Sequence, residues 1–154
     1  MADIELLDRG YTAIMEQVVS TGTAPHFTEL AHELGIELDE ANDLVHELVA
    51  STPGWMHPGT DYLASFPPFN LQPTHYRVTV DGEQRWFAQC GLEATAIRWL
   101  VPGSTVQIEA PCLCCAEPIV VKMCDEEIIS ADPADVVGYT SAEVGGDPST
   151  RPFR

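Results

Sequence analysis

The sequence predicts an α+β fold, in which an N-terminal helical unit precedes a small mixed β-sheet with a helix that carries a cysteine site. Apolar residues recur at helical intervals over residues 4–49, whereas they alternate with polar residues over much of 76–123. All five cysteines lie in this second half. We therefore expect a helical subdomain with a connector at 1–70, an α+β domain at 71–140 and a flexible tail at 141–154.

The first fifty residues predict three helices. Helical spacing extends over residues 4–19 and 27–36, the second ending at Gly35, and a third helix starts at Asp39 or Glu40. Three short helices joined by a Leu-Gly-Ile turn are winged-helix-like, with a wing strand expected within residues 55–63. Because the exposed positions are mostly Glu, Asp and His, we expect packing or homodimer formation here rather than DNA binding.

The composition excludes several classes of function. The formal charge is −17 and Lys122 is the only lysine, which argues against nucleic acid because phosphate binding requires basic side chains. No stretch reaches the roughly 18 apolar residues of a membrane span, and the first five residues are acidic where a secretory signal is basic. We expect a cytoplasmic protein that does not bind membranes. Its cysteines therefore suggest metal or thiol chemistry rather than disulfides.

The second half predicts a hairpin, a helix and two further strands. Strands at residues 76–80 and 85–88 flank a turn that contains Asp81 and Gly82. A helix is expected over residues 92–100. Strands at 105–109 and 119–123 then enclose a loop with three cysteines.

Cys90 stands where the hairpin ends and the helix begins. The unpaired N–H groups and the dipole of a helix N-terminus favour the thiolate, which is both a nucleophile and a metal ligand. Glu93, three residues on, lies on the same helical face. The pair suits capture of a metal followed by proton delivery. The alternative is that Cys90 is a small buried apolar residue and Glu93 complements the helix dipole.

Cys112, Cys114 and Cys115 fall within four residues of one loop. Hg(II), Cu(I) and Zn(II) all favour thiolate sulfur, so these three cysteines and Cys90 are the predicted metal ligands. If the loop remains extended, Cys112 and Cys114 are the better geometric pair. Cys124 is not expected to be a ligand, and no organic cofactor is expected because no phosphate-binding loop is present.

These residues resemble the alkylmercury lyase family. The resemblance rests on the run WFAQCGLEA at 86–94, followed after one helix by Gly103, Cys112 and the run EPIVV at 117–121. In that family a segment of the form aromatic-Ala-x-Cys-Ala-Leu/Ile-Asp precedes a cysteine loop and a strand. The resemblance extends from the N-terminus to Thr140 and is strongest over residues 76–121.

The resemblance implies a mechanism for the cysteine site. The cysteine that matches Cys90 binds mercury, the aspartate that matches Glu93 helps to protonate the departing carbon, and two thiolates hold the freed Hg(II). The family's second catalytic cysteine is expected in a C-terminal segment that this shorter chain lacks. Cys112 matches a cysteine with a mainly structural role, so our hypothesis is that Cys114 or Cys115 supplies the second sulfur.

Three functional hypotheses follow from the sequence. The first is a carbon–mercury lyase that acts on a small organometal compound. The second is a non-catalytic carrier or sensor of Cu(I), Zn(II) or Hg(II) that uses the same cysteines. The third is an acidic helix-turn-helix regulator that responds to metal.

Overall fold

A computed structural model describes residues 2–138 and divides the chain into two compact units, with the boundary between Pro67 and Pro68. This boundary lies close to the predicted one at residue 70. The tail predicted at residues 141–154 lies outside the described residues. Within the described part of the chain, every helix is too short or too polar to cross a membrane.

The first unit contains three helices and one short hairpin. Its elements are α1 (Ile4–Thr21), α2 (Phe27–Leu34), α3 (Leu38–Ser51), β1 (Trp55–Met56) and β2 (Leu63–Phe66). Strands β1 and β2 pair antiparallel. Helix α1 begins at Asp3, whose carboxylate accepts a hydrogen bond from the Leu6 N–H, and ends at Gly22 in the left-handed conformation. The winged-helix interpretation of this unit stays a prediction.

The apolar stripes of the three helices form the core of the first unit. Ile14, Val18, Leu30 and Leu44 are fully buried, at the spacing that predicts one apolar face on each helix. Gly10 lets α1 approach α3 closely, since a Cβ atom there would lie 2.8 Å from Leu44 Cδ2.

The second unit is an antiparallel sheet with one helical segment. Its strands are β3 (Phe69–Asn70), β4 (Tyr76–Val80), β5 (Glu83–Ala88), β6 (Val106–Pro111), β7 (Pro118–Cys124) and β8 (Glu127–Asp132). They lie in the order β3-β5-β4-β6-β7-β8, and each pairing between them is antiparallel. The α+β class is thus confirmed, but the prediction of a mixed sheet is wrong. Two-residue turns join β4 to β5 and β7 to β8, and a loop of residues 112–117 joins β6 to β7; connections this short join only antiparallel neighbours.

The helical segment of the second unit packs against the sheet. Helix α4 (Gly91–Ala96) continues as a 3₁₀ turn over Ile97–Leu100, so the predicted single helix changes its geometry midway. It contacts β4, β5 and β6 and buries Ala94 and Ile97 against them. This packing fixes the start of α4, and therefore Cys90, at one end of the sheet.

Candidate functional site

The first part of the candidate site is the junction between β5 and α4. Cys90 is the residue that precedes α4, with an extended backbone. Burial of the half-buried Cys90 thiol raises its pKa and is the largest influence on it. The backbone N–H groups of Glu93 and Leu92 act in the opposite direction, because they favour the thiolate. The pKa is raised overall, so Cys90 is held mainly as a thiol.

Glu93 lies beside this thiol on the first turn of α4. Burial raises the pKa of its carboxyl group from 4.5 to about 7, while a hydrogen bond from the Cys90 thiol acts in the opposite direction. Its Oε2 atom is buried and has no hydrogen-bond partner among residues 2–138. A carboxyl group with this pKa exchanges a proton readily near neutral pH, and it has one oxygen to offer to a bound molecule.

Tyr76 is a neighbour of this pair that the sequence did not reveal. Burial raises the pKa of its phenol, and the negative charge of Cys90 adds to the effect. A Cβ atom on Gly91 would lie 3.5 Å from Tyr76 Cε1. Tyr76 pairs with Ala88 only because the register of β4 and β5 shifts between Val78 and Thr79. Without this irregularity, the hairpin turn would place a different residue beside the junction.

The second part of the candidate site is the cysteine loop between β6 and β7, residues 112–117. The Cys112 N–H donates to the Glu117 carbonyl oxygen, and the Ala116 N–H donates to the Cys112 carbonyl oxygen, each at 2.8 Å. Ala116 has a φ of 61°, in the left-handed region. The loop is therefore a closed turn and not an extended segment.

This closed turn corrects the expected cysteine pair. The N–H groups of Cys114 and Cys115 and the Cys115 side chain lower the pKa of the Cys112 thiol. The Glu117 N–H lowers the pKa of the Cys115 thiol. The Cys112 side chain and nearby negative charge act in the opposite direction, and the pKa of Cys115 is raised overall. The partner of Cys112 is therefore Cys115 and not Cys114, because the turn brings together residues three positions apart. The signal available in the sequence was the Cys-x-x-Cys spacing of these two residues.

The sheet register relates the two parts of the site. Arg77 of β4 pairs with Phe87 of β5 on one side and with Glu109 of β6 on the other. Cys90 comes three residues after Phe87, and Cys112 comes three residues after Glu109. Both cysteines therefore lie beyond the same end of the sheet. Their strands are two steps apart in the sheet, which separates the strand ends by roughly 10 Å.

The predicted ligands Cys90, Cys112, Cys114 and Cys115 are divided in this arrangement: Cys90 lies beside the predicted catalytic residue Glu93, and the other three lie in the cysteine loop. No group of three or more His, Cys, Asp and Glu side chains is arranged to hold a metal ion within residues 2–138. Cys114 is exposed, and Cys124 lies at the end of β7, where its sulfur is 3.9 Å from an Asp125 carboxylate oxygen. The role of each cysteine as a metal ligand remains a proposal.

Comparisons with known proteins give a consistent result. The family model described as alkylmercury lyase matches residues 69–151, more than half of the chain. Alkylmercury lyases of Bacillus cereus and Clostridium butyricum are each 37% identical over 67 residues, which are 44% of this chain and 30% of theirs. The match thus spans less than a third of the length of these curated relatives.

A solved structure shares the fold. The mercury-bound form of MerB2 superposes with a TM-score of 0.68 at 19% identity, and the match covers 85% of this chain and 61% of that one. The residues matched by the family model include both parts of the candidate site.

Proposed function

The chain belongs to the alkylmercury lyase family, and we propose that it binds an organomercurial through Cys90 and cleaves the carbon–mercury bond with a proton from Glu93. The observation that carries this proposal is the half-buried thiol and carboxyl pair at the start of α4. Its two groups supply a soft ligand for mercury and a proton for carbon, and both lie in the segment that the family model matches.

The proposed reaction begins with capture of the metal. The Cys90 sulfur bonds to mercury and displaces the small thiolate or halide with which the organomercurial arrives, while the Cys90 proton moves to the Glu93 carboxylate. The N–H groups of Leu92 and Glu93 support this step, because they stabilise negative charge on the sulfur as the proton leaves.

Cleavage then returns that proton to the substrate. Glu93 gives its proton to the carbon bound to mercury, and the electron pair of the carbon–mercury bond forms the new carbon–hydrogen bond. The hydrocarbon leaves, Hg(II) stays on the Cys90 thiolate, and Glu93 is again a carboxylate. No electrons are exchanged with a cofactor. A pKa of about 7 suits Glu93 to accept and donate in turn.

Hg(II) favours a second sulfur once the carbon has left. We assign this role to Cys114 or Cys115, since the cysteine loop leaves the same end of the sheet as Cys90. The substrate class is thus a small organomercurial, and the product is Hg(II) held by protein thiolates.

The direct test is release of benzene from phenylmercury by the purified, reduced protein with excess small thiol, measured by gas chromatography. We expect release with the wild-type protein and none with Cys90→Ser. Cys124→Ser is the matched control, since Cys124 lies at the far end of β7 from the loop. If the wild-type protein released no benzene at high enzyme concentration but retained mercury, the cleavage step would be wrong and the non-catalytic hypothesis would replace it.

A further inference from the structure

We propose that Cys112 and Cys115 form a separate two-sulfur clamp that binds one Hg(II) ion without help from Cys90. The choice of Hg(II) rests on the proposed function, because cleavage at Cys90 releases this ion. The site itself is formed by the geometry of the cysteine loop.

The backbone holds the loop in the shape that a clamp needs. Pro111 pairs with Pro118 at the end of β6 and β7, and two backbone hydrogen bonds of 2.8 Å close the turn above this pair. The positive φ of Ala116 completes the reversal of the chain. The turn holds Cys112 and Cys115 in one closed loop, so little backbone conformational entropy remains to be lost when a metal joins them.

The surroundings of Cys115 are fixed by the same turn. The Cys115 thiol lies 3.9 Å from Glu117 Oε2, and the Glu117 carbonyl oxygen accepts a hydrogen bond of 2.8 Å from the Cys112 N–H. Outer contacts of this kind orient ligands around protein-bound metals. The Cys115 sulfur is therefore oriented before a metal arrives.

The number of ligands selects the ion. Structural Zn(II) takes four ligands, whereas Hg(II) is satisfied by two thiolates in a nearly linear arrangement. Within residues 2–138 no third His, Cys, Asp or Glu completes a metal-binding group. As the two sulfur–mercury bonds form, the two chlorides or small thiolates that accompanied the ion leave, each cysteine thiol loses one proton to solvent, and neither sulfur nor mercury changes its oxidation state.

The ion can reach this clamp directly from solvent. Residues 113–118 are exposed, whereas Cys90 is half-buried. The clamp can therefore receive Hg(II) whether or not cleavage occurs at Cys90, and it provides a surface position from which a small thiol can remove the ion.

The test uses the full-length Cys90→Ser protein, so that the result does not depend on lyase activity. The reduced protein is incubated with one equivalent of mercuric chloride and glutathione at about 1 mM, on the order of the effective concentration of a tethered thiol. Native mass spectrometry and the ultraviolet absorption of mercury–thiolate bonds report the ion that stays bound. Cys112→Ser, Cys114→Ser, Cys115→Ser and Cys124→Ser are each added to this background, with circular dichroism to verify folding.

We expect one Hg(II) per chain in the Cys90→Ser protein, and retention when Cys114 or Cys124 is also replaced. Replacement of Cys112 or Cys115 should weaken retention about a hundredfold, because one thiolate then competes with glutathione without a tethered partner. Cys115 is exposed, so Cys115→Ser decides the question even if Cys112→Ser fails to fold. No retained ion in the Cys90→Ser protein, or equal loss with Cys114→Ser, would overturn the clamp. Benzene release by the wild-type protein tests the proposed function separately.

Discussion

The Cys90 thiol precedes α4, and the Glu93 carboxyl group stands three residues later on the first turn of that helix, where each group influences the pKa of the other. The two groups can therefore share a proton. When a metal replaces the proton on the Cys90 sulfur, that proton can move to the Glu93 carboxyl group, whose pKa of about 7 allows it to hold the proton and then release it.

Replacement of Glu93 should separate mercury capture from cleavage. Glu93→Gln removes the proton donor but keeps the size of the side chain, so we expect benzene release from phenylmercury to fall about 10²- to 10⁴-fold. Mercury bound at Cys90 should be retained in native mass spectra. Glu83→Gln is the matched control, because Glu83 is an exposed acid at the start of β5. If Glu93→Gln released benzene at the rate of the wild-type protein, Glu93 would not be the proton donor.

The value of kcat/KM should rise as pH rises through the pKa of Glu93. In the free enzyme only the carboxylate form of Glu93 can accept the Cys90 proton, and burial raises the pKa of this carboxyl group from 4.5 to about 7. The free enzyme determines kcat/KM, so its profile should decline below about pH 7. The measurement is kcat/KM for benzene release at constant ionic strength. This decline should be missing from the residual activity of Glu93→Gln, and a decline that persists there belongs to another group.

Folding stability should depend on the same titration. A carboxyl group whose pKa is raised by folding binds a proton more tightly in the folded state, so the free energy of unfolding falls as pH rises from 4.5 to about 7. We expect urea unfolding to show that Glu93→Gln gains stability relative to the wild type over this range. A constant difference between the two proteins from about pH 4 to pH 8 would contradict the raised pKa.

The sequence predicts the elements better than it predicts the contacts between them. The three N-terminal helices and the strands β4 to β7 follow from local periodicity and turn residues, which act over a few positions. Strand β8 was missed, and its residues are mostly exposed, so no alternation of apolar and polar residues marks it. The α+β class was correct, but the mixed sheet was wrong, because the short connections between these strands join antiparallel neighbours.

The candidate site shows the same limit. Cys90 and Glu93 could be paired from the sequence because helical spacing relates them directly. Tyr76 joins them through a register shift within the hairpin, which no local pattern indicates. The partner of Cys112 depends on whether its loop is extended or closed, and backbone hydrogen bonds between Cys112, Ala116 and Glu117 decide this.

The last prediction concerns Gly91, the first residue of α4. The φ of Gly91 is not positive, so its backbone conformation suits a residue with a side chain. A Cβ atom there would meet Tyr76 Cε1 at 3.5 Å, an ordinary van der Waals contact. Alanine fits this position and restricts the unfolded chain, so Gly91→Ala should stabilise the protein by about 0.4–1 kcal/mol in urea unfolding.

The matched control for this change is Gly82→Ala in the turn between β4 and β5. Gly82 has a φ of 90°, which strains any residue with a Cβ atom, so this variant should be less stable than the wild type. Benzene release should be unchanged by Gly91→Ala, because the methyl group touches the Tyr76 ring without displacing it. A loss of stability or of benzene release in Gly91→Ala would mean that Tyr76 lies closer to the start of α4 than the 3.5 Å contact allows.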